Sequence, residues 1–338
     1  MATIADKRLS EYLVAVILAA TIAVTLILTL IWRVEDTTTL RWAHVYEIST
    51  PYHQQALAAA REFEDLTNGR YRVRVYPASA LGNESAINES LALGAIDIIY
   101  TGASFVANEY RPIALSDFPY AIEDFEHWQA YRDSQLFEEI ATGFGRATES
   151  KVIGLTYYGF RHVTANSAIL HPEDMQDLKI RVPNAPMFLI LPQATGANAA
   201  PMPFAEVYLA LQQGVVDAQE NPLTTIRFKR FHEVQSHINL TGHIVPSLLT
   251  LVSLRSLNEL GEEDAALLQD VAARAAQRAS QEIAADEEAL VTWFTDRGVS
   301  VNEVDRRAFR DSVDAHFEDR EYPFDASYLM RLRELAEK

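Results

Sequence analysis

Arginines set in apolar surroundings are the residues best placed to do chemistry in this sequence. The chain as a whole carries a net charge of -18, so an anion can be held only where positive charge is placed locally against that field. Two arginines stand out. Arg181 lies in Leu178-Lys179-Ile180-Arg181-Val182-Pro183, a short strand in which it shares a face with Lys179 and opposes Ile180. Arg161 follows Tyr157-Tyr158-Gly159-Phe160 at the end of an apolar strand, where open α/β sheets present ligand sites. A guanidinium holds a carboxylate by two parallel hydrogen bonds, contributing roughly 1.5–3 kcal/mol per charged bond when water is excluded. The competing reading for each is a structural ion pair.

Other chemistries are excluded by residue type or spacing. The 338 residues include no cysteine, which removes disulfides, thiolate metal sites and a cysteine nucleophile. Nucleic acid is not expected as a partner, because Lys and Arg are nowhere gathered into a phosphate-binding cluster. His232-Glu233-Val234-Gln235-Ser236-His237 is one residue longer than a zinc-protease HExxH, so on a helix its second histidine would turn about 140° away from the first. No glycine-rich phosphate loop and no Gly-x-Ser-x-Gly elbow occurs. No metal, cofactor or catalytic residue is expected, and the chain reads as a binder.

The elements that must position the two arginines alternate. A strand from Leu40 to Val45, a helix from Gln54 to Leu66 and a strand from Tyr71 to Tyr76 make a β-α-β opening. A helix over Glu84 to Leu93 and a buried strand over Ile96 to Tyr100 continue it. Lys151 to Tyr158 and Leu178 to Val182 read as strands of a second α/β unit, followed by a helix over Phe204 to Gln213 and extended chain before Pro222. Glu262 to Arg297 contains neither Gly nor Pro and ends at Gly298, predicting a helix on the order of 50 Å long, too long for one small domain. Ahead of the body, Tyr12 to Trp32 carries no charge and is long enough as a helix to cross a bilayer once. It reads as an uncleaved membrane anchor, with a cleaved signal peptide as the alternative.

An ordered series of motifs runs through the second half: Tyr158-Gly159-Phe160-Arg161-His162, Pro172-Glu173-Asp174-Met175, Leu178 to Pro183, Pro201-Met202-Pro203-Phe204-Ala205-Glu206-Val207-Tyr208, and Gly214 to Pro222 with its Gln219-Glu220-Asn221. Pro77-Ala78-Ser79-Ala80-Leu81-Gly82 and Gly94-Ala95-Ile96-Asp97 extend it forward. The series resembles the solute-binding proteins of TRAP transporters, the DctP family, over nearly everything after the anchor. Ala218 departs from the glycine usual in the family by one methyl group.

That resemblance implies an α/β, two-domain, type II-like periplasmic binding protein with a long helix spanning both domains, preceded by the N-terminal transmembrane or signal helix. The expected division is residues 1–38 as signal or anchor, 39–158 plus 247–286 as domain I, and 159–246 plus 287–338 as domain II. It implies Arg181 as a bidentate carboxylate clamp, Arg161 and Asn221 as further polar contacts, Phe204 laid against the ligand and Asn184 lining the cleft beside Arg181. The opposite lobe would select the rest of the ligand through His44, Tyr46, Glu47, Asn83 and Glu84, and a carboxylate there favours a polyhydroxylated acid such as a uronate over a dicarboxylate. Packing for Phe204, capping for Asn184 and Asn221, and exposed strand ends or helix-dipole charges for the last five are the competing readings. The expected partners are a small organic acid and the small and large integral-membrane TRAP subunits, with the chain in the periplasm, tethered to the inner membrane. A sensor module, or a tethered hydrolase, is the alternative.

Overall fold

The computed structural model describes the backbone of residues 4–31 and 37–336, and the side chains of residues 11–25 and 37–336. The first of its two sheets contains β1 (Thr38–Ala43), β2 (Tyr71–Tyr76), β3 (Ile98–Gly102), β4 (Ser150–Tyr157) and β10 (Ser247–Ser253), in the order β2-β1-β3-β10-β4. The second contains β5 (Arg161–Ala165), β6 (Lys179–Val182), β7 (Asn198–Pro201), β8 (Ala218–Pro222), β9 (His237–Ile244) and β11 (Ser300–Asn302), in the order β11-β9-β5-β8-β6-β7. Composition sets the rank of each strand. β2 alternates Arg with Val and Tyr and lies half-exposed at an edge, whereas β3 and β10 are near-continuous apolar runs buried on both faces.

Three passages join the sheets. β4 continues through Tyr158-Gly159-Phe160 into β5, and β9 returns through Val245-Pro246 into β10; the two crossovers lie side by side, antiparallel. Gly159 has φ +96°, and a Cβ there would come within 2.9 Å of Glu287 Oε1. Only glycine serves at that point, because the Glu287 carboxylate must approach to accept from the Phe160 N–H at 2.8 Å and the Tyr157 hydroxyl at 2.7 Å. The third passage is the long helix Leu254–Thr295. It comprises two helical pieces meeting at Gly261, whose φ 78° and ψ 169° are not helical, so the expected start at Glu262 marks its second piece. A stripe of Ala265, Leu268, Ala272, Ala275, Ala276, Ala279 and Ile283 is buried. Small residues allow close approach: a Cβ on Gly154 of β4 would meet Ala276 Cβ at 3.2 Å.

After β11 the helix Arg306–His316 packs on Ile190–Thr195 and β9. The last helix, Ala326–Arg333, packs instead on Gln135–Ala147, with Arg331 Nη2 2.8 Å from Glu139 Oε2 and His127 Nε2 2.9 Å from the Leu332 carbonyl oxygen. The expected division placed residues 287–338 together with the second sheet. The structure brings Ala326–Arg333 back to the helices beside the first, where Leu329 and Leu332 are buried and Arg331 meets Glu139 at the surface.

Residues Ile4–Ile31 form a helix, and Leu13, Val16 and Leu18 on it are exposed. The expected anchor reaches Trp32, which lies outside the described residues. Described side chains cover residues 11–25 of it, roughly 22 Å at 1.5 Å per residue against a hydrocarbon core of about 30 Å. Among the described residues no helix is long and apolar enough to cross a membrane.

Candidate ligand site between the two sheets

A narrow cavity, partly open to solvent, lies between the sheets beside the paired crossovers. It holds about 30 Å³ of free space and is lined by Tyr46, Glu84, Gly102, Phe105, Tyr158, Arg161, Arg181, Pro183, Phe188, Phe204, Asn221, Pro246 and Leu248. The first sheet and its helices contribute Tyr46 after β1, Glu84 at the start of the helix Glu84–Ala92, and Phe105 after β3. The second contributes Arg161 from β5, Arg181 from β6, Asn221 from β8 and Phe204 from the turn after β7. The rings of Tyr46 and Phe204 meet across the gap at 6.1 Å between centroids, and those of Phe105 and Phe188 at 6.4 Å.

Arg181 is 2% exposed. β6 is flanked by β7 and β8, with Arg181 opposite Ala200 and Gln219, which fixes its backbone. The Met202 carbonyl oxygen just beyond β7 accepts from Nε at 3.1 Å and from Nη2 at 2.6 Å. Nη1 is buried without any protein acceptor. No carboxylate forms an ion pair with this side chain among the described residues, and burial pulls its pKa down to about 10. A guanidinium still charged at neutral pH thus keeps an unpaired, buried Nη1 in the lining of this cavity, an arrangement that is costly unless an anion completes it.

Arg161 is deployed differently. Its Nε and Nη2 donate to the Glu220 carboxylate, Nη2 also reaches the Glu220 carbonyl at 2.7 Å, and the pair is buried on both sides. His243 Nε2 lies 3.2 Å from Glu220 Oε2, the carboxylate oxygen that also accepts from Arg161 Nε. Burial works against the Glu220 charge, but Arg161 and His243 overcome it and hold the carboxyl below its usual range. The guanidinium also stacks 4.8 Å over the Phe188 ring. The structural ion pair weighed for Arg161 therefore exists, while the residue still lines the cavity.

Asn221 Nδ2 donates to Gln219 Oε1 at 2.6 Å, Gln219 Nε2 donates to Thr164 Oγ1 at 3.0 Å, and Thr164 Oγ1 donates to Gln235 Oε1 at 3.1 Å. This buried relay orients the Asn221 amide. Glu84 is 7% exposed and faces the same cavity. Burial raises its pKa above the usual carboxylate range, offset only in part by its own backbone N–H and by Arg181 and Arg161.

Six of the ten site residues expected from sequence line the cavity: Arg181, Arg161, Asn221, Phe204, Glu84 and Tyr46. Four do not. Asn184 is exposed, because Pro183 takes the lining position and turns its neighbour outward. Asn83 is spent as the N-cap of Glu84–Ala92, its Oδ1 accepting from the Ala86 N–H at 3.0 Å. His44 is a core residue: its Nδ1 accepts from the Tyr46 N–H at 3.1 Å, leaving the proton on Nε2 to be donated to His53 Nδ1 at 2.9 Å. Burial brings its pKa down to about 3, so it stays neutral. Glu47 reaches sideways to Lys229 Nζ at 2.9 Å. Sequence reasoning missed Tyr158, Phe188 and Phe105. Tyr158 stood inside a quoted motif beside Arg161; nothing in the sequence distinguishes the two phenylalanines from core residues.

The comparisons with known proteins agree with this geometry. Residues 42–321 match the family model described as bacterial extracellular solute-binding protein, family 7, DctP. The chain is 30% identical over 280 residues to the sialic acid-binding periplasmic protein SiaP of Vibrio cholerae serotype O1, covering 83% of this chain and 87% of that protein. Among solved structures it is similar to a TRAP periplasmic solute-binding protein from Polaromonas sp. JS666 bound to D-erythronate, with TM-score 0.81, 29% identity and coverage of 88% and 98%. It is also similar to one from Roseobacter denitrificans with bound L-galactonate, with TM-score 0.81, 28% identity and coverage of 89% and 100%. With the sheets, the crossovers and the long helix of such a clamp already in place, the chain belongs to the DctP family of TRAP periplasmic solute-binding proteins.

Proposed function

We propose that this chain captures a hydroxylated monocarboxylic acid, an aldonate or uronate, and passes it unchanged to the small and large membrane subunits of a TRAP transporter. The observation that carries the reading is the Arg181 guanidinium, a buried part of the cavity lining whose Nη1 lacks a partner. A carboxylate placed there accepts from the Nη1 and Nη2 edge that Met202 leaves free. Residues 39–158 with 247–286 form one lobe and 159–246 with most of the remainder the other. They close about the crossovers at Tyr158-Gly159-Phe160 and Val245-Pro246, the long helix bracing both.

Charge decides between kinds of acid. The cavity is faced by Arg181, the Arg161–Glu220 pair and Glu84, which sum to zero when both carboxyls are ionised. One ligand carboxylate is drawn to Arg181, whereas a second must be buried near Glu84 without a cation of its own. Hydroxyl groups donate to Glu84 at no such cost. Sialic acid, D-erythronate and L-galactonate, named for the three similar proteins above, each pair one carboxylate with several hydroxyls, whereas succinate, named for a structure 25% identical, carries two carboxylates. The aromatic walls made by Tyr46, Phe204 and Phe188 suit the carbon chain.

A thermal-shift screen of organic acids tests this. A ligand at 100 times its dissociation constant adds about 2.7 kcal/mol to stability. Aldonates and uronates are expected to raise the melting temperature, and neutral sugars and four-carbon dicarboxylates to leave it unchanged. Equal shifts with neutral sugars would remove the carboxylate from the recognition.

We also infer that the uncharged run from Tyr12 to Trp32 holds the chain at the inner membrane. There it would raise the chain's effective concentration beside the membrane subunits. Recovery of the chain in alkali-washed membranes is the expected result; recovery in the soluble periplasmic fraction, shortened at its N-terminus, would replace the anchor with a cleaved leader.

A further inference from the structure

Glu47 and Lys229 make the one ion pair among the described residues that joins the β1 side of the cleft directly to the β8 side. The other ion pairs stay within one side or tie down the long helix or the C-terminal helix. Glu47 follows the cavity residue Tyr46, and its carbonyl oxygen is pinned by the Thr50 N–H at 3.2 Å and the Thr50 hydroxyl at 2.7 Å. Lys229 ends the helix Leu223–Phe228, and its ammonium lies 5.0 Å from the centroid of Phe204, another cavity residue. The pair therefore sits at the rim of the ligand cavity, salt-bridged at 2.9 Å with the Glu47 side chain 31% and the Lys229 side chain 14% exposed. Neither side chain lines the cavity.

We propose that Glu47 and Lys229 form a latch across the mouth of the cleft, which holds the closed state and sets the rate at which ligand leaves. The proposal rests on the lobe-closure reading above and adds to it a pair that never touches the ligand. Opening the lobes must separate the two charges and uncover the cation over Phe204, whereas a ligand entering the open cleft meets neither as a barrier. The latch thus acts on dissociation and hardly on association. Because the pair is partly solvated, salt weakens it.

The test uses L-galactonate as probe and the full chain in stopped-flow binding. Glu47→Gln and Lys229→Met are each expected to speed dissociation about fivefold, to change association less than about twofold, and to lose the salt dependence of dissociation seen in the wild type. The charge-swapped Glu47→Lys with Lys229→Glu is expected to recover the slow rate. Wild-type dissociation in both single variants, or a loss confined to association, would overturn the latch. Should L-galactonate fail to bind the wild type, that failure belongs to the ligand assignment. The latch is then judged without ligand, from the distance between spin labels on Asp65→Cys and Gln213→Cys, which the absence of native cysteine makes selective. Either single variant should shift that distance toward longer values, and an unchanged distribution would overturn the proposal.

Discussion

Replacing Arg181 with methionine is expected to weaken binding of a sugar acid by about three powers of ten while leaving the ligand-free protein as stable as before, or more so. The first half follows from the loss of two charge-assisted hydrogen bonds in a water-excluding site, roughly 1.5–3 kcal/mol each, or about 4 kcal/mol together. The second follows from Nη1 having no acceptor and from the absence of a carboxylate partner in the unliganded site. Removing a buried charge that has no ion-pair partner, only the Met202 carbonyl and the more distant Glu220 and Glu84, relieves a desolvation cost, and methionine fills much of the same volume. The combination separates a binding residue from a structural one, since a structural arginine would lower the melting temperature along with the affinity. Arg181→Lys keeps the charge but not the fork and should still lose at least about tenfold. Calorimetric titration and thermal melts of the same samples give both readings.

The second large effect concerns selectivity. Glu84→Gln keeps the shape of the cavity wall and removes its negative charge. Two unit charges about 5 Å apart at an effective dielectric constant of 20 repel by about 3 kcal/mol. Hence a dicarboxylic sugar acid is expected to gain about a hundredfold in affinity in this variant. The monocarboxylate should lose several-fold, because a neutral amide accepts hydroxyl protons less strongly than a carboxylate. Competition of a mono- and a dicarboxylic acid for the wild type and the variant reads the ratio directly. An unchanged ratio would mean that Glu84 is protonated in the wild type, or faces no part of the ligand, and the charge argument for a monocarboxylate would fall.

Much of the fold was legible because the periodicities that encode it are local. The alternation of Tyr71 to Tyr76 and the break-free stretch after Gly261 appear as the strand and helix they suggest, and the apolar run Ile96 to Tyr100 becomes a strand that begins two residues later, at Ile98. The course of the C-terminal tail was not legible, since Ala326–Arg333 packs on Gln135–Ala147 through long-range contacts, with Leu329 and Leu332 buried and Arg331 beside Glu139. In the site, residues fixed by a strand, such as Arg181 on β6 and Asn221 on β8, stand where their motifs imply. Residues in turns were harder. Asn83 and Glu84 are adjacent, yet one becomes a cap and the other faces the cavity, a choice made by helix geometry. His44 and Glu47 lie on either side of Tyr46, but their partners, His53 and Lys229, come from elsewhere in the fold. Nor does the chain itself distinguish Arg161, paired inside its own sheet, from Arg181, left open.

The crystal structure of this chain with whichever aldonate or uronate gives the largest thermal shift is the most direct test of the account. A ligand carboxylate oxygen should lie about 2.9 Å from Arg181 Nη1, with Met202 still holding Nε and a ligand hydroxyl on Glu84. A complex in which Nη1 meets only water, with the carboxylate seated elsewhere in the cleft, would contradict it.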